Sequence, residues 1–313
     1  MDQKRIHGTE FDVGVFTNIS RDHINYHHNF ENYLNAKKGF VDSLVIAGGG
    51  GRGALAFNFD DPLVREVGED FPGRKISFGL GEGADLSASG VRADLRGTSM
   101  TLAMPEGQVD IELKLLGMFS VYNALAAASA AFLLGIAAED IRIGLERLEN
   151  VPGRFQVVSD SSDPVVVVDY AHTPDALDNI LSFCRELKPE RLITVFGCGG
   201  DRDRGKRPMM GEIACDYSDS VYLTNDNPRS EEPLAIIDEI LSGIDRKICT
   251  VNVITDRRKA IRKGVAEGGR GDMVLIAGKG HEEVQVIGRE RLKFSDLEEA
   301  RAALALKRGD SPC

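Results

Sequence analysis

The sequence predicts an α/β protein in two parts, a less regular first half and a doubly wound second half. Three observations carry this. From Pro164 onward, short apolar β-branched runs alternate with amphipathic stretches, the pattern of a parallel sheet with crossover helices. Before that point, strand-like runs are followed by a region of alternating polar and apolar residues and by an alanine-rich stretch of helical character. Between the halves, Asn150, Val151, Pro152 and Gly153 place two helix-stopping residues just after an amphipathic stretch. The expected parts are therefore residues 1–150 and 151–313.

In the first part, Val13 to Phe16 and Ala54 to Phe57 are predicted strands, Ala84 to Leu115 an antiparallel patch, Val121 to Leu134 a helix, and Ala138 to Leu148 a second helix. The glycine run Gly48 to Gly51 is predicted to be a loop, since no Gly-Lys-Ser/Thr follows it and Ala54 opens another apolar run. In the second part, the predicted strands are Val165 to Val168, Leu192 to Phe196, Val221 to Thr224 and Met273 to Ala277. Predicted helices cover Ala176 to Leu187, Met209 to Tyr217, Glu231 to Leu241, Arg257 to Val265 and Asp296 to Leu306, with a hairpin from Val284 to Phe294.

With 313 residues, 42% of them hydrophobic, the chain can bury a core in about two domains at the usual ~150 residues each. Its formal charge of -11 argues against nucleic acid or an anionic membrane as partner, so an anionic ligand needs a local basic cluster. No run approaches the ~20 apolar residues of a membrane span, and the start Met1, Asp2, Gln3, Lys4, Arg5 has no secretory apolar stretch. A cytoplasmic location without membrane insertion is expected. The cysteines Cys184, Cys198, Cys215, Cys249 and Cys313 form no CxxC pair and are expected to be reduced structural thiols.

One basic cluster stands out. Gly200 to Arg207, GDRDRGKR, fits G-x-x-x-x-G-K between a predicted strand and helix, but Arg207 stands where a phosphate loop needs a magnesium-ligating hydroxyl. The expectation is instead a concentrated positive site of Arg202, Arg204, Lys206 and Arg207, able to grip a carboxylate or phosphate; the bland alternative is a solvated charged loop.

Six stretches taken together carry a family resemblance: TNISRDHINYH from Thr17, VPGRF from Val151, DYAHTPDAL from Asp169, FGCGGDRDRGKRP from Phe196, DNPRSEEP from Asp226 and GKGHEEVQ from Gly278. They resemble Mur ligases, in particular those that add diaminopimelate, and the resemblance runs from Phe11 to about Ala303. It implies a partial Mur-ligase central domain followed by a doubly wound, Rossmann-like C-terminal domain that binds the acceptor amino acid. It implies an ATP-dependent ligase of peptidoglycan synthesis, in which an acyl phosphate on UDP-MurNAc-L-Ala-D-Glu is attacked by the amine of meso-diaminopimelate. Such chemistry needs cations against the transferring phosphoryl group and a deprotonated amine.

The resemblance also assigns residues. His23, in a signature with Asn18, Arg21 and Asp22, resembles a Mg2+ ligand, and Lys37 resembles a carbamylated lysine that partners the metal. Taken alone, Lys37 reads as an ordinary exposed helix lysine beside Lys38. Asn123 resembles an adenine contact, with Ser120 where the family commonly carries another asparagine, and Arg154 resembles a residue near the phosphates. Asp169 resembles a ribose-binding aspartate; its alternative is a capping or turn carboxylate before Thr173 and Pro174. For the acceptor, Arg229 in DNPR resembles the arginine that holds the distal carboxylate lysine lacks, with Arg202, Asp226, Asn227, Gly278 and Glu282 completing the grip and Glu282 facing the distal ammonium.

The family's UDP-binding domain and TGTNGKTT-like phosphate loop have no counterpart in this sequence, so a fragment inactive by itself is expected, with a separately encoded N-terminal portion as its possible partner. The competing readings are a lysine-adding or folylpolyglutamate-type ligase, and a noncatalytic amino-acid or nucleotide-binding module of a split enzyme. A nicotinamide-binding protein is disfavoured, because no G-x-G-x-x-G follows a first strand.

Overall fold

A computed structural model describes residues 6, 8–19, 29–46, 53–159, 164–245 and 247–309. It divides into two compact units, Met1–Glu149 and Asn150–Cys313. Among the described residues, no helix is long and apolar enough to cross a membrane.

In the first unit, β1 (Val13–Phe16), β2 (Ala54–Asn58), β3 (Lys75–Gly79) and β4 (Leu86–Asp94) pair in parallel, and β5 (Gly97–Met104) and β6 (Gly107–Leu113) extend the sheet antiparallel, in sequence order throughout. The helices are α1 (Phe30–Ile46), α2 (Pro62–Glu69), α3 (Met118–Leu133) and α4 (Ala138–Arg147). The alanine-rich α3 begins three residues earlier than the sequence predicted, and its small side chains Ala124, Ala126 and Ala128 share a core with Ile76, Phe78, Leu102 and Ile111. A second cluster packs Leu44 of α1 and Val64 and Val67 of α2 with Leu55 and Phe57 of β2, so the sheet is covered on two faces. Asp61 caps α2, its carboxylate accepting from Leu63 and Val64 N–H and also from Ile19 N–H, which ties down the start of the TNISRDH stretch. Most of that stretch, Ser20 to His27, and the Gly48 to Gly51 loop lie outside the described residues.

The second unit carries β7 (Gln156–Val157), β8 (Val165–Asp169), β9 (Leu192–Phe196), β10 (Ser220–Leu223), β11 (Thr250–Val253) and β12 (Met273–Ala277) in the order β11-β10-β9-β12-β8-β7. All pairings are parallel except β7 with β8. Strands β8, β9 and β12 are almost wholly buried, which is why they read as continuous apolar runs. Helices α5 (Pro174–Glu186), α6 (Lys206–Tyr217) and α7 (Pro233–Leu241) connect strands stepping one way; α8 (Arg257–Glu267) returns the chain to β12 the other way. Right-handed crossovers then place α8 on the opposite face. There α8 and α9 (Asp296–Arg308) share a core with Val166, Val168, Ile193, Val195, Val274 and Ile276. Helix α5 shows the local logic: Thr173 caps it, Pro174 presets its first turn, and Leu177, Ile180, Leu181 and Cys184 form its buried stripe. The hairpin of β13 (Val284–Ile287) and β14 (Glu290–Lys293) stands as predicted.

One expectation is corrected. Cys215, near the end of α6, and Cys249, just before β11, form a disulfide with a Cα–Cα distance of 5.4 Å. Their separation of 34 residues carries no spacing signal; the crossover that sets β11 beside β10 brings them together. Cys184 and Cys198 are free and buried, and burial pushes the Cys198 thiol up to about 12. Cys313 lies outside the described residues.

Candidate acceptor and nucleotide site

In the second unit, β12 lies between β8 and β9, strands that follow one another in the chain. Loops leaving the carboxyl ends of β8, β12, β9 and β10 therefore meet at one edge, the crevice that open α/β sheets offer to ligands. These loops contain Asp169 to His172, Gly278 to Glu282, Gly197 to Lys206 and Thr224 to Ser230.

Two of the loops are locked by close backbone approach. Gly153 has φ +68°, and a Cβ there would lie 2.3 Å from His281 N and 2.5 Å from Gly280 C. Gly280 has φ +53° and would meet the Tyr170 Cβ at 2.7 Å. The PGRF and GKGH stretches thus pack main chain to main chain, which only glycine permits. Above this contact the Arg154 guanidinium sits 4.8 Å from the Tyr170 ring centroid, and the Tyr170 ring is flanked by His172 at 4.6 Å and His281 at 5.3 Å. Arg154 is exposed and, among the described residues, makes no ion pair.

Asp169 points inward. Its two carboxylate oxygens accept from Phe155 N–H and Ala171 N–H, each at 2.7 Å, and the residue is buried. Burial raises its carboxyl above the ordinary value despite both hydrogen bonds. These bonds describe a turn carboxylate that fixes Phe155, itself at φ +38°, whereas the helix cap is Thr173.

The acceptor residues converge. Asp226 is buried, with Oδ2 3.0 Å from where a Gly278 Cβ would stand and Oδ1 3.7 Å from that of Gly199. No described residue donates to its carboxylate. The same face of Gly199 meets Arg229 Nη1 at 2.9 Å and Arg202 Cγ at 3.7 Å. Arg229, at φ +52°, is pinned by its backbone to β13, with N–H donating to Val286 O at 3.1 Å and its carbonyl accepting from Gly288 N–H at 2.7 Å. Its Nη1 donates to Gly200 O at 2.7 Å. Arg202 is exposed, and its Nη1 donates to Asp201 O at 3.0 Å. Neither arginine has a carboxylate partner among the described residues, and one glycine is bordered by the Arg229 guanidinium, the Arg202 side-chain stem and the Asp226 carboxylate.

Glu282 supplies a second carboxylate. Its Oε2 accepts from Asn227 Nδ2 and from Lys279 Nζ, each at 2.9 Å, while no described residue donates to Oε1. Burial opposes its ionisation, but the Lys279 and Asn227 hydrogen bonds prevail and hold the carboxyl below its ordinary value. Lys279 is a residue the sequence reading did not single out; the signal was a lysine between Gly278 and Gly280 at the end of a buried strand.

The expected four-residue positive cluster is corrected. Arg207 is completely buried, paired through two bonds of 2.9 and 2.8 Å with Glu231 and a third of 2.8 Å with Glu239. Arg204 also pairs with Glu239, and Lys206 donates to His172 O at 2.6 Å. Arg202 and Lys206 each donate to a backbone carbonyl and make no ion pair among the described residues, whereas acidic residues 24 to 35 positions away fold back onto Arg204 and Arg207. The phosphate-loop spelling thus ends in a buried structural arginine. Its hydrogen bonds, chiefly those to Arg207, hold the Glu231 carboxyl down at about 2. A depressed carboxylate stabilises the fold fully above its unfolded value near 4.5 and loses that contribution as pH falls toward 2. Wild type is therefore expected to lose on the order of 2 kcal/mol more than Glu231→Gln across that window, measured by hydrogen exchange in α6. Equal losses would remove Glu231 as the acid-sensitive group.

In the first unit, Asn123 is exposed on α3, and Ser120 is buried with its hydroxyl bonded to Leu116 O at 2.7 Å. Lys37 is exposed on α1, with Nζ 5.4 Å from the Tyr33 ring centroid. His23 lies outside the described residues, and among those described no group of three His, Cys, Asp or Glu side chains gathers to hold a metal ion.

The family described as "Mur ligase middle domain" matches residues 1–131, and "Mur ligase, glutamate ligase domain" matches residues 153–280. The chain belongs to the Mur ligase family. It is 44% identical over 302 residues to UDP-N-acetylmuramoyl-L-alanyl-D-glutamate--2,6-diaminopimelate ligase of Syntrophomonas wolfei subsp. wolfei, covering 96% of this chain and 61% of that relative. A solved structure titled with the same ligase name superposes with a TM-score of 0.61 at 37% identity, covering 98% of this chain and 63% of that one. Mycobacterium tuberculosis folylpolyglutamate synthase, solved with ADP and AMPPCP, gives a TM-score of 0.70 at 20% identity, covering 96% and 65%, and speaks for the Mur ligase fold alone. The chain thus spans about three-fifths of the length of these relatives.

Proposed function

We propose that the second unit binds the acceptor amino acid of a Mur-type ligase that joins meso-diaminopimelate to UDP-MurNAc-L-Ala-D-Glu at the expense of ATP. One observation carries the acceptor reading: the Arg229 guanidinium, free of a carboxylate partner among the described residues, shares the Gly199 face with the Asp226 carboxylate, to which no described residue donates, and the Arg202 stem borders the same face. That arrangement suits a zwitterionic amino-acid end, with Glu282 Oε1 and the Gly278 backbone as further acceptors for its ammonium. The names of the relatives support diaminopimelate as the amino acid.

In the reaction, the D-glutamyl carboxylate attacks the γ-phosphorus of ATP and releases ADP. The acceptor amine then attacks the acyl carbon, phosphate leaves, and the amine proton is lost. This chain's own part is to orient that amine and exclude wrong acceptors. Arg154, exposed over Tyr170, is the second unit's cation for phosphate; Asp169 serves the nucleotide by fixing the loop of Arg154 and Phe155. Asn123 and the magnesium roles of His23 and Lys37 rest on the family resemblance alone.

Ligand-observed NMR on the 313-residue chain tests the reading, since it tolerates weak binding. Saturation transfer to meso-diaminopimelate but not to L-lysine is expected. Equal transfer to both, or none to either, would overturn the acceptor assignment.

A further inference from the structure

We infer that Lys279 is a positioning residue, whose buried ammonium holds Asn227 and Glu282 in the one arrangement that presents Glu282 Oε1 to the acceptor. The inference rests on the acceptor reading above. Lysine is rarely buried without a reason, because removing an ammonium from water is costly unless every proton finds a partner. Here the side chain is fully buried, and its three N–H groups are all spent: on Asn227 Oδ1 at 3.1 Å, Glu282 Oε2 at 2.9 Å and Val284 O at 2.8 Å. With no donor left and no exposed surface, it cannot itself touch a ligand. Its influence must pass through its partners.

Those partners are fixed in turn. Asn227 Oδ1 accepts from Lys279 and from Val286 N–H at 2.9 Å, so its amide can only turn Nδ2 toward Glu282. Glu282 Oε2 receives both donors, which leaves its other oxygen as the outward one. The Val284 bond joins the same lysine to β13, the strand that pins Arg229 by its backbone. One ammonium thus links the carboxylate that would meet an ammonium to the strand under the arginine that would meet a carboxylate.

The test compares Lys279→Met, which keeps the volume and removes the donors, with Glu282→Gln and the double variant, in full chains titrated with meso-diaminopimelate. Lys279→Met is expected to weaken binding about tenfold or more, and to change it less than about twofold in the Glu282→Gln background, because the effect runs through Glu282. In wild type, the Lys279 Nζ and Asn227 Nδ2 resonances are expected to shift on adding the ligand, a readout that needs no variant to fold. Unchanged affinity in Lys279→Met, an equal loss in both backgrounds, or resonances blind to bound ligand would overturn the inference while leaving the acceptor site standing. Failure of wild type to bind diaminopimelate would instead overturn the acceptor reading, and the inference with it.

Discussion

Arg257→Ala is expected to cost about 3–5 kcal/mol of local stability in the second unit, the range for stranding one partner of a buried ion pair. Arg257 opens α8 and Asp296 opens α9; both side chains are fully buried. Two parallel bonds of 2.7 Å join them, and a third of 2.9 Å runs from Arg257 to Ala277 O, the residue just before Gly278. Burial opposes the guanidinium's charge, and Asp296 more than restores it. Removing Arg257 leaves a carboxylate out of water with its charge unanswered, and Asp296→Ala leaves the reverse. Replacing both by leucine and methionine is expected to recover most of the loss, since well-packed apolar pairs rival such bridges. Hydrogen exchange of the Met273 to Ala277 amides measures this without assuming that the two units unfold together. A single-variant loss under about 1 kcal/mol would mean that the pair is hydrated rather than buried.

That pair also shows where sequence reasoning ends. Arg257 and Asp296 were legible as helix beginnings, but nothing in their spacing of 39 residues said that they meet. The second sheet was legible because β8, β9 and β12 are buried on both faces and so spell uninterrupted apolar runs. Strand β11 was missed: it is four residues at the sheet edge, partly exposed throughout, and shows only Val251 and Val253 as apolar. Helix α2 was missed although Asp61 and Pro62 form a start signal, since eight residues give little periodicity.

The same limit shaped the site. Its residues were legible as motifs, and the strand order explains why motifs so far apart in sequence share one edge. Their charge states were not. In GDRDRGKR the cations are visible, yet Glu231 and Glu239 decide which of them stay open to a ligand. Asp169 shows the converse: its place at a strand end was apparent, but the Phe155 and Ala171 N–H groups that occupy it come from loop geometry. Burial likewise turns Lys279 from an ordinary surface residue into the centre of a network.

Arg229→Ala is expected to erase the preference for diaminopimelate over lysine, lowering diaminopimelate affinity about 100-fold and leaving lysine nearly unchanged. The two amino acids differ by one carboxylate, so the selecting group must be a cation without a carboxylate of its own. Arg204 and Arg207 are excluded by their glutamates; Arg202 is exposed on a loop, where solvent weakens its discrimination. Arg229 is half-buried, with Nη1 spent on Gly200 O and its backbone anchored to β13, so its remaining donors point from a fixed base. Alanine adds no new backbone penalty at φ +52°, since arginine already bears it. Arg229→Lys keeps the charge but loses the planar fork, and is expected to restore little of the preference. Competition between the two amino acids, followed by NMR on each variant, gives the ratio directly. A ratio unchanged in Arg229→Ala would move the selection to Arg202, and Arg202→Ala would then carry the loss.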